Sequence, residues 1–369
     1  MLSEDQMRAT IAGLLMWAVA YLPVQAIETN LGTLNVETVA SGFDQPWGMG
    51  FLPNGSVLVT ERGGRLFHVA HNGTKSEITG LPLIADGGQG GLLDVLVPRD
   101  FDRTGQIYFS YTLRQGRGRN TALAVADLDI NARRLRNVET IFEAARGPRS
   151  DRHFGSRIVE APDGTLFLTI GDRGERPSAQ DRRNHSGSVI RLNKDGSVPS
   201  NNPFVGQPDI QPEIWSFGHR NPQGAALDLD GNLWINEHGA QGGDEVNRIE
   251  AGLNYGWPVI SYGRHYSGLR IGEGSASPGL EQPEFFWDPS IAPSGMMIYG
   301  GDMFPEWRGN IFIGSLKFDY LSRLTGTPLN EVERIQSQET WRVRDVREGP
   351  DGAIWLMSVG NGAIYRMSR

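Results

Sequence analysis

His153 stands in the segment DRHFGSR and Asp172 in TIGDRG, on either side of a short β-rich run that would fold back as a hairpin. A carboxylate bonded to one imidazole nitrogen fixes the tautomer and makes the other nitrogen a better base. The two residues are therefore a candidate general base and the acid that orients it. Taken alone, the pair reads more simply as a histidine held by a backbone carbonyl. Arg220 and Asn221 follow in FGHRNPQG. The stretch from Asn236 to Pro258, NEHGAQGGDEVNRIEAGLNYGWP, sets glycine-flanked carbonyls beside Asp244, Glu245 and Tyr255. Calcium takes about six to eight oxygen ligands, carbonyls and carboxylates among them, so such a loop suits a hard cation. Its spacing is not that of an EF-hand, and a metal-free acidic surface loop has the same composition. Lys317 in GSLKFDY and Arg342 and Arg344 in WRVRD complete the set. The two arginines, two positions apart, would share one face of a strand. Convergence of Arg220, Lys317, Arg342 and Arg344 would make a pocket for a polyanion. Read singly, each is a solvated or carboxylate-paired cation.

A repeated unit of turn, β-rich run, glycine turn and second β-rich run must position these groups. It recurs at PNGSVLVTERGGRLFHV, RTGQIYFSYTL, PDGTLFLTIGDRG, LDGNLWINEHG, WRGNIFIGSLKFDYLSRL and PDGAIWLMSVGNGAIYRM. Asn-Gly or Asp-Gly between alternating apolar residues signals a hairpin. Val57 and Val59, Leu166 and Leu168, Leu233 and Ile235, Ile311 and Ile313, and Ile354 and Leu356 hold equivalent alternating places, as a strand with one face in a core requires. No stretch carries an amphipathic helical period over three turns, which argues against a parallel α/β sheet. The expected fold is all-β: a six-bladed β-propeller with four-stranded antiparallel blades. A two-sheet sandwich is the alternative, and the number of units disfavours it. The strand-like LGTLNVETVA would complete the last blade.

The 48 glycines and 21 prolines among 369 residues suit many short strands joined by tight turns. Residues 1–26 read as a secretory signal: Arg8, an apolar run from Ile11 to Leu22, then Val24-Gln25-Ala26 as a small-residue cleavage pattern, with Glu4 and Asp5 unusual in such a leader. Cleavage after Ala26 would leave residues 27–369 as a single propeller domain and move the formal charge from −8 to −7. A periplasmic or secreted location follows. The chain has no cysteine, which excludes thiolate metal sites and cysteine nucleophiles. The acidic balance argues against nucleic acid as a partner.

The fragments GQGGLLDV, HFGSR, TIGDRG, SFGHRNPQG, EHGAQGGDEVN, NYGWP, PSIAPSGM, RGNIFIGSLK and RVRDVREGPDG, in this order, resemble the PQQ-dependent aldose sugar dehydrogenases, relatives of soluble glucose dehydrogenase. The resemblance implies a six-bladed propeller and a set of roles. His153 matches the base that takes the proton of the anomeric hydroxyl, and Asp172 the acid that orients it. Gln89, Arg220, Asn221, Lys317, Arg342 and Arg344 match contacts to the quinone's three carboxylates, with Tyr266 in SYGRHYSG a further contact. The carbonyls of Gly239 and Ala240 match ligands of a calcium at the cofactor, and Glu245 and Tyr255 a second, structural calcium. Ser156 stands where many relatives carry glycine, and Ala240 where some carry proline. Two other readings stay open: a calcium-dependent sugar-lactone hydrolase, whose metal would sit among carboxylates and amides to activate water, and a non-catalytic binding propeller. The aldose, the electron acceptor and the choice between monomer and homodimer are not legible.

Overall fold

The computed structural model describes residues 25–145 and 149–369. The signal reading over residues 1–24 lies outside them. Of the expected cleavage pattern, Gln25 and Ala26 form the start of a strand, Gln25–Thr29. Among the described residues no helix is long and apolar enough to cross a membrane.

Six antiparallel sheets make up the molecule. Blade 1 is Pro46–Phe51, Val57–Glu61, Arg65–Val69 and Lys75–Ile78; blade 2 is Leu92–Leu96, Gln106–Gln115, Gly118–Asp129 and Arg134–Glu143. Blade 3 is Ile158–Glu160, Leu166–Ile170, Ser188–Leu192 and Ile214–Phe217; blade 4 is Pro222–Leu227, Leu233–Glu237, Asp244–Ile249 and Phe285–Trp287. Blade 5 is Pro293–Ile298, Ile311–Ser315, Leu321–Thr325 and Asn330–Ile335. Blade 6 is Val343–Glu348, Ile354–Ser358 and Ala363–Ser368, completed by Gly32–Ala40 and bordered by Gln25–Thr29. The first strand of each blade touches the first strands of both neighbours, closing the ring. The expected propeller is the observed one, and LGTLNVETVA does close it: Val36 pairs with Met367 and Thr38 with Tyr365.

The alternation carries more than one buried face. In the second strand of blade 1, Leu58 packs towards blade 2 with Leu92 and Phe109. Val57 and Val59 pack towards blade 6 with Trp355 and Met357. Blade 3 repeats this: Leu166 and Leu168 meet Tyr108 and Leu123 of blade 2, while Phe167 meets Leu233 and Ile235 of blade 4. A blade is a slab between two slabs, so both faces of its central strands leave water. The two successive side chains Val57 and Leu58 anchor different interfaces.

The axis is filled by charge. Arg157 Nη1 donates to Asp94 at 2.8 Å and lies 3.2 Å from Asp345. Arg347 reaches both acids at 3.2 Å. The backbone N–H groups of Ile158 and Met49 donate to Asp94 and Asp345. Arg157 Nε donates to the Gln223 carbonyl at 3.1 Å. Gly48 and Gly295 leave room for this plug: a Cβ would lie 2.7 Å from Asp94 Oδ1 at the first and 2.3 Å from Asp345 Oδ1 at the second. All six blades thus meet on one buried ion network, whose charges are matched two against two.

Candidate active site

Above the plug, one end of the axis is lined by two parts of the repeat: the segments leading into first strands, and the turns between second and third strands. They enclose a cavity of about 500 Å³. Lead-in segments supply Gln89, Phe154, Asn221, Ala292 and Arg342, and the first strands open with Trp47 and Arg344; second-strand turns supply Arg62, His238 and Lys317. Loops from separate blades therefore bring Gln89, Asn221, Lys317, Arg342 and Arg344 to one mouth. No aspartate or glutamate lines it among the described residues. None of Arg62, Lys317, Arg342 and Arg344 makes an ion pair there. Burial, with Arg157, Arg62 and Arg342 close by, pushes the Arg344 guanidinium down to about 9. Such crowded positive charge is the preparation for an anion.

His153 borders this cavity through Gln89, whose Oε1 accepts the His153 backbone N–H at 2.7 Å. Its Nδ1–H donates to Asp172 Oδ1 at 2.6 Å. Asp172 is held on every side: Gly174 N donates to Oδ1 at 2.7 Å, and Trp257 Nε1 donates to Oδ2 at 2.8 Å. Burial pushes the Asp172 carboxyl up, but bonds from His153 and Gly174 outweigh it and leave it below the usual aspartate value. Burial lowers the His153 imidazole, the Asp172 bond opposes this, and Arg220 lowers it further. The imidazole is thus neutral near pH 7, with Nε2 free to accept a proton. His153 has φ 55°, Ala292 φ 55°, Arg342 φ 53° and Ser156 φ 88°. Left-handed backbone at non-glycine residues is costly and clusters at functional sites.

Arg220 lies behind the mouth, 8% exposed. Its Nη1 donates to the His238 carbonyl at 3.1 Å, it stacks 5.4 Å from the Trp257 ring centre, and its Nε is buried without a partner. Tyr266 is 77% exposed and is not part of the cavity wall. Trp47, Arg62, Gln223, His238 and Trp257 were missed in the sequence. Gln223 Oε1 accepts from Arg344 at 3.1 Å, and His238 Nε2 donates to the Pro293 carbonyl at 2.7 Å. The signal was in the repeat: Arg62 in ERGG, Asp172 in GDRG, His238 in EHG and Lys317 in LKF occupy the same turn of blades 1, 3, 4 and 5.

The carbonyl-rich loop folds tightly. Gly239 N donates to Asp244 Oδ1 at 2.8 Å, and a Cβ at Gly239 would lie 2.3 Å from the Gly242 oxygen and 2.2 Å from that of Gly243. Ala240 pairs with Gly242 and is buried. These oxygen donors fit a hard cation. Glu245 faces Glu237 across the sheet, and burial followed by the Glu237 charge raises its carboxyl well above the usual value. The Tyr255 hydroxyl is spent on the Arg248 carbonyl at 2.6 Å and the Glu250 N–H at 2.9 Å, so any ligand role falls to its carbonyl. No group of three or more His, Asp or Glu side chains gathers for a metal among the described residues.

Residues 43–366 match the family model for glucose/sorbosone dehydrogenases. The chain belongs to that family. It is an oxidoreductase of the sugar-dehydrogenase class. It is 40% identical over 345 residues to the aldose sugar dehydrogenase YliI of Escherichia coli, with 91% of this chain and 93% of that one covered. Among solved structures, the apo-form of the soluble aldose sugar dehydrogenase from E. coli superposes with a TM-score of 0.87 at 38% identity, covering 91% of this chain and 99% of that one. The PQQ-bound aldose sugar dehydrogenase of Streptomyces coelicolor superposes with a TM-score of 0.76 at 26% identity, covering 90% and 97%. A cavity wall without carboxylates is the reverse of what a lactone-hydrolysing metal centre asks for.

Proposed function

We propose that the chain oxidises aldose sugars to lactones with PQQ, assisted by calcium, after export to the periplasm or medium as a propeller of residues 27–369. The observation that carries this is a neutral, carboxylate-held imidazole beside a cavity whose cations have no counter-charge in the fold. A flat tricarboxylate fits that wall: Arg62, Lys317, Arg342 and Arg344 would pair its carboxylates, with Gln89 and Asn221 donating amide hydrogens and Arg220 adding positive charge from behind. Tyr266, on its exposed loop, would close over the rim. When bound, PQQ would supply the carbonyl that takes hydride from the anomeric carbon. His153 Nε2 removes the anomeric hydroxyl proton, so hydride and proton leave together and the ring carbon becomes a lactone carbonyl. Asp172 stabilises the imidazolium that forms. Trp257 and Gly174 keep it from turning away.

Calcium on the Gly239 and Ala240 carbonyls would add a Lewis acid at the same pocket, and a second ion at Glu245 and the Tyr255 carbonyl would neutralise the paired acids. Chelation should then lower both the Tm and the PQQ affinity, with calcium restoring them; a Tm indifferent to chelator and calcium rejects this assignment.

The test of the base is His153→Gln assayed with glucose, an artificial acceptor and excess PQQ. Turnover should fall about 10²–10⁴-fold while PQQ still binds. In the parent enzyme the acid limb of the kcat/KM profile should lie below pH 6.5, the ordinary histidine value, because His153 is depressed and activity returns as it loses its proton. Unchanged turnover in the variant removes His153 as base.

A further inference from the structure

We propose that blade 2 carries an anion-binding subsite beside the reacting centre, and that this subsite holds the carboxylate or phosphate of a negatively charged aldose. The inference rests on the sugar-oxidising reading and names the substrate class. Leu92, first residue of the inner strand of blade 2, pairs with Tyr111, yet the second strand continues to Gln115 before turning back at Gly118. At about 3.3 Å per residue, the hairpin tip stands roughly 13 Å above that pair. No other second strand exceeds five residues.

Under this overhang lies a basin of about 430 Å³ walled by Arg114, Arg117, Arg119, Arg149, Arg152 and the single carboxylate Asp151. Five guanidiniums face one acid, on a chain of net charge −8. The one ion pair among them is Arg152 to Asp151, at 3.9 Å. The Arg119 Nε is buried without a partner. Guanidinium forks bind carboxylate and phosphate oxygens in pairs, so the missing counter-charge is an oxoanion.

The basin is pinned to the catalytic turn. Arg173, next to Asp172 and 1% exposed, donates to the Arg119 carbonyl at 3.0 Å, the Ser150 carbonyl at 2.7 Å and the Arg152 carbonyl, and stacks 3.4 Å from the Phe154 ring centre. Arg119 rests on Gly87, where a Cβ would lie 2.7 Å from Nη2. Two residues further on, Gln89 donates its N–H to the Asp151 carbonyl at 2.7 Å and its Oε1 accepts from the His153 backbone N–H. Basin and base therefore share one rigid wall.

The test compares kcat/KM for D-glucose, D-glucuronate and D-glucose 6-phosphate, with PQQ, calcium and the cationic acceptor phenazine methosulfate, in wild type and in an Arg114→Gln/Arg117→Gln/Arg149→Gln variant. These three arginines are exposed, and thermal melts check folding. At least one anionic sugar should exceed glucose about tenfold in wild type, with the difference in KM; glucuronate identifies a carboxylate, the phosphate ester a phosphate. That ratio should fall about tenfold in the variant and at about 0.5 M salt. No preference for an anionic sugar in wild type, or an unchanged ratio in the variant, overturns the proposal. A variant altered only when anionic ferricyanide replaces the dye overturns it too, in favour of an acceptor site. Calorimetric titration of D-glucuronate and of inorganic phosphate into quinone-free protein reads the basin by itself. Heat in wild type that is lost in the variant supports it even if no aldose is turned over, which would count against the dehydrogenase reading; absence of heat in wild type counts against the basin.

Discussion

The same six inner strands open at both ends of the propeller axis, but the two ends differ in what neutralises their charge. At one end the lead-in segments and turns present Arg62, Lys317, Arg342 and Arg344 to a cavity without acids. At the other, a cavity of about 380 Å³ is walled by apolar side chains such as Met49, Phe51, Val95 and Met296, and its Arg99 is answered by Glu160 at 3.6 Å. Between them Arg157 and Arg347 are matched by Asp94 and Asp345. Arg344 and Asp345 are neighbours in sequence, yet one faces the uncompensated mouth and the other the compensated plug. Cations answered inside the fold hold the ring together. Those left unanswered are available to a ligand.

Removing a counter-charge from the plug should have the largest effect. Asp94→Ala strands Arg157 and Arg347 on a single buried acid, a change that costs about 3–5 kcal/mol. Denaturant unfolding reads it, and a loss under about 1 kcal/mol would erase the distinction between the two ends. Arg344→Met sharpens the comparison from the other side. It removes a desolvated cation that no acid repays, so the quinone-free protein should melt no lower than wild type. PQQ affinity should nevertheless weaken about tenfold to a hundredfold, or roughly 1.4–3 kcal/mol. A variant that melts lower and binds PQQ equally well would make Arg344 a structural residue. Ser156→Gly is the smallest change. It releases a left-handed φ of 88°, while the Phe154 carbonyl bonded by Ser156 keeps the Thr121 hydroxyl. A gain of about 1 kcal/mol, seen as a higher Tm, is expected; a fall would show that the serine hydroxyl outweighs the strain.

How much of this was legible follows from where each strand sits. The second strands read clearly, since Val57 and Val59 fill one dense interface and Leu58 the other, as Leu166 and Leu168 do with Phe167 between them. The inner strands read poorly: Pro46–Phe51 and Pro222–Leu227 are rich in glycine and proline because the crowded axis leaves little room for side chains. The outer strand Asn330–Ile335 half-buries its glutamates Glu331 and Glu333 and exposes Asn330, Val332 and Arg334, so it carries no apolar run facing a core. The His153–Asp172 pair was legible because a single hairpin brings it together. Trp257 was not, since it reaches Asp172 from 85 residues away. The shared mouth of Gln89, Asn221, Lys317 and Arg344 required the ring itself, because their meeting depends on closure and not on spacing.

That closure joins residues 32–40 to the strand 363–368, and the Asn35 side chain donates to the carbonyl of Arg369 at 2.8 Å. An early segment of the chain, paired at most with residues 25–29, must therefore wait until synthesis has reached the far end before the sixth blade exists. Such a latch keeps a growing polypeptide from locking prematurely. It also marks the seam at which an engineer could splice the two ends and open the circle elsewhere.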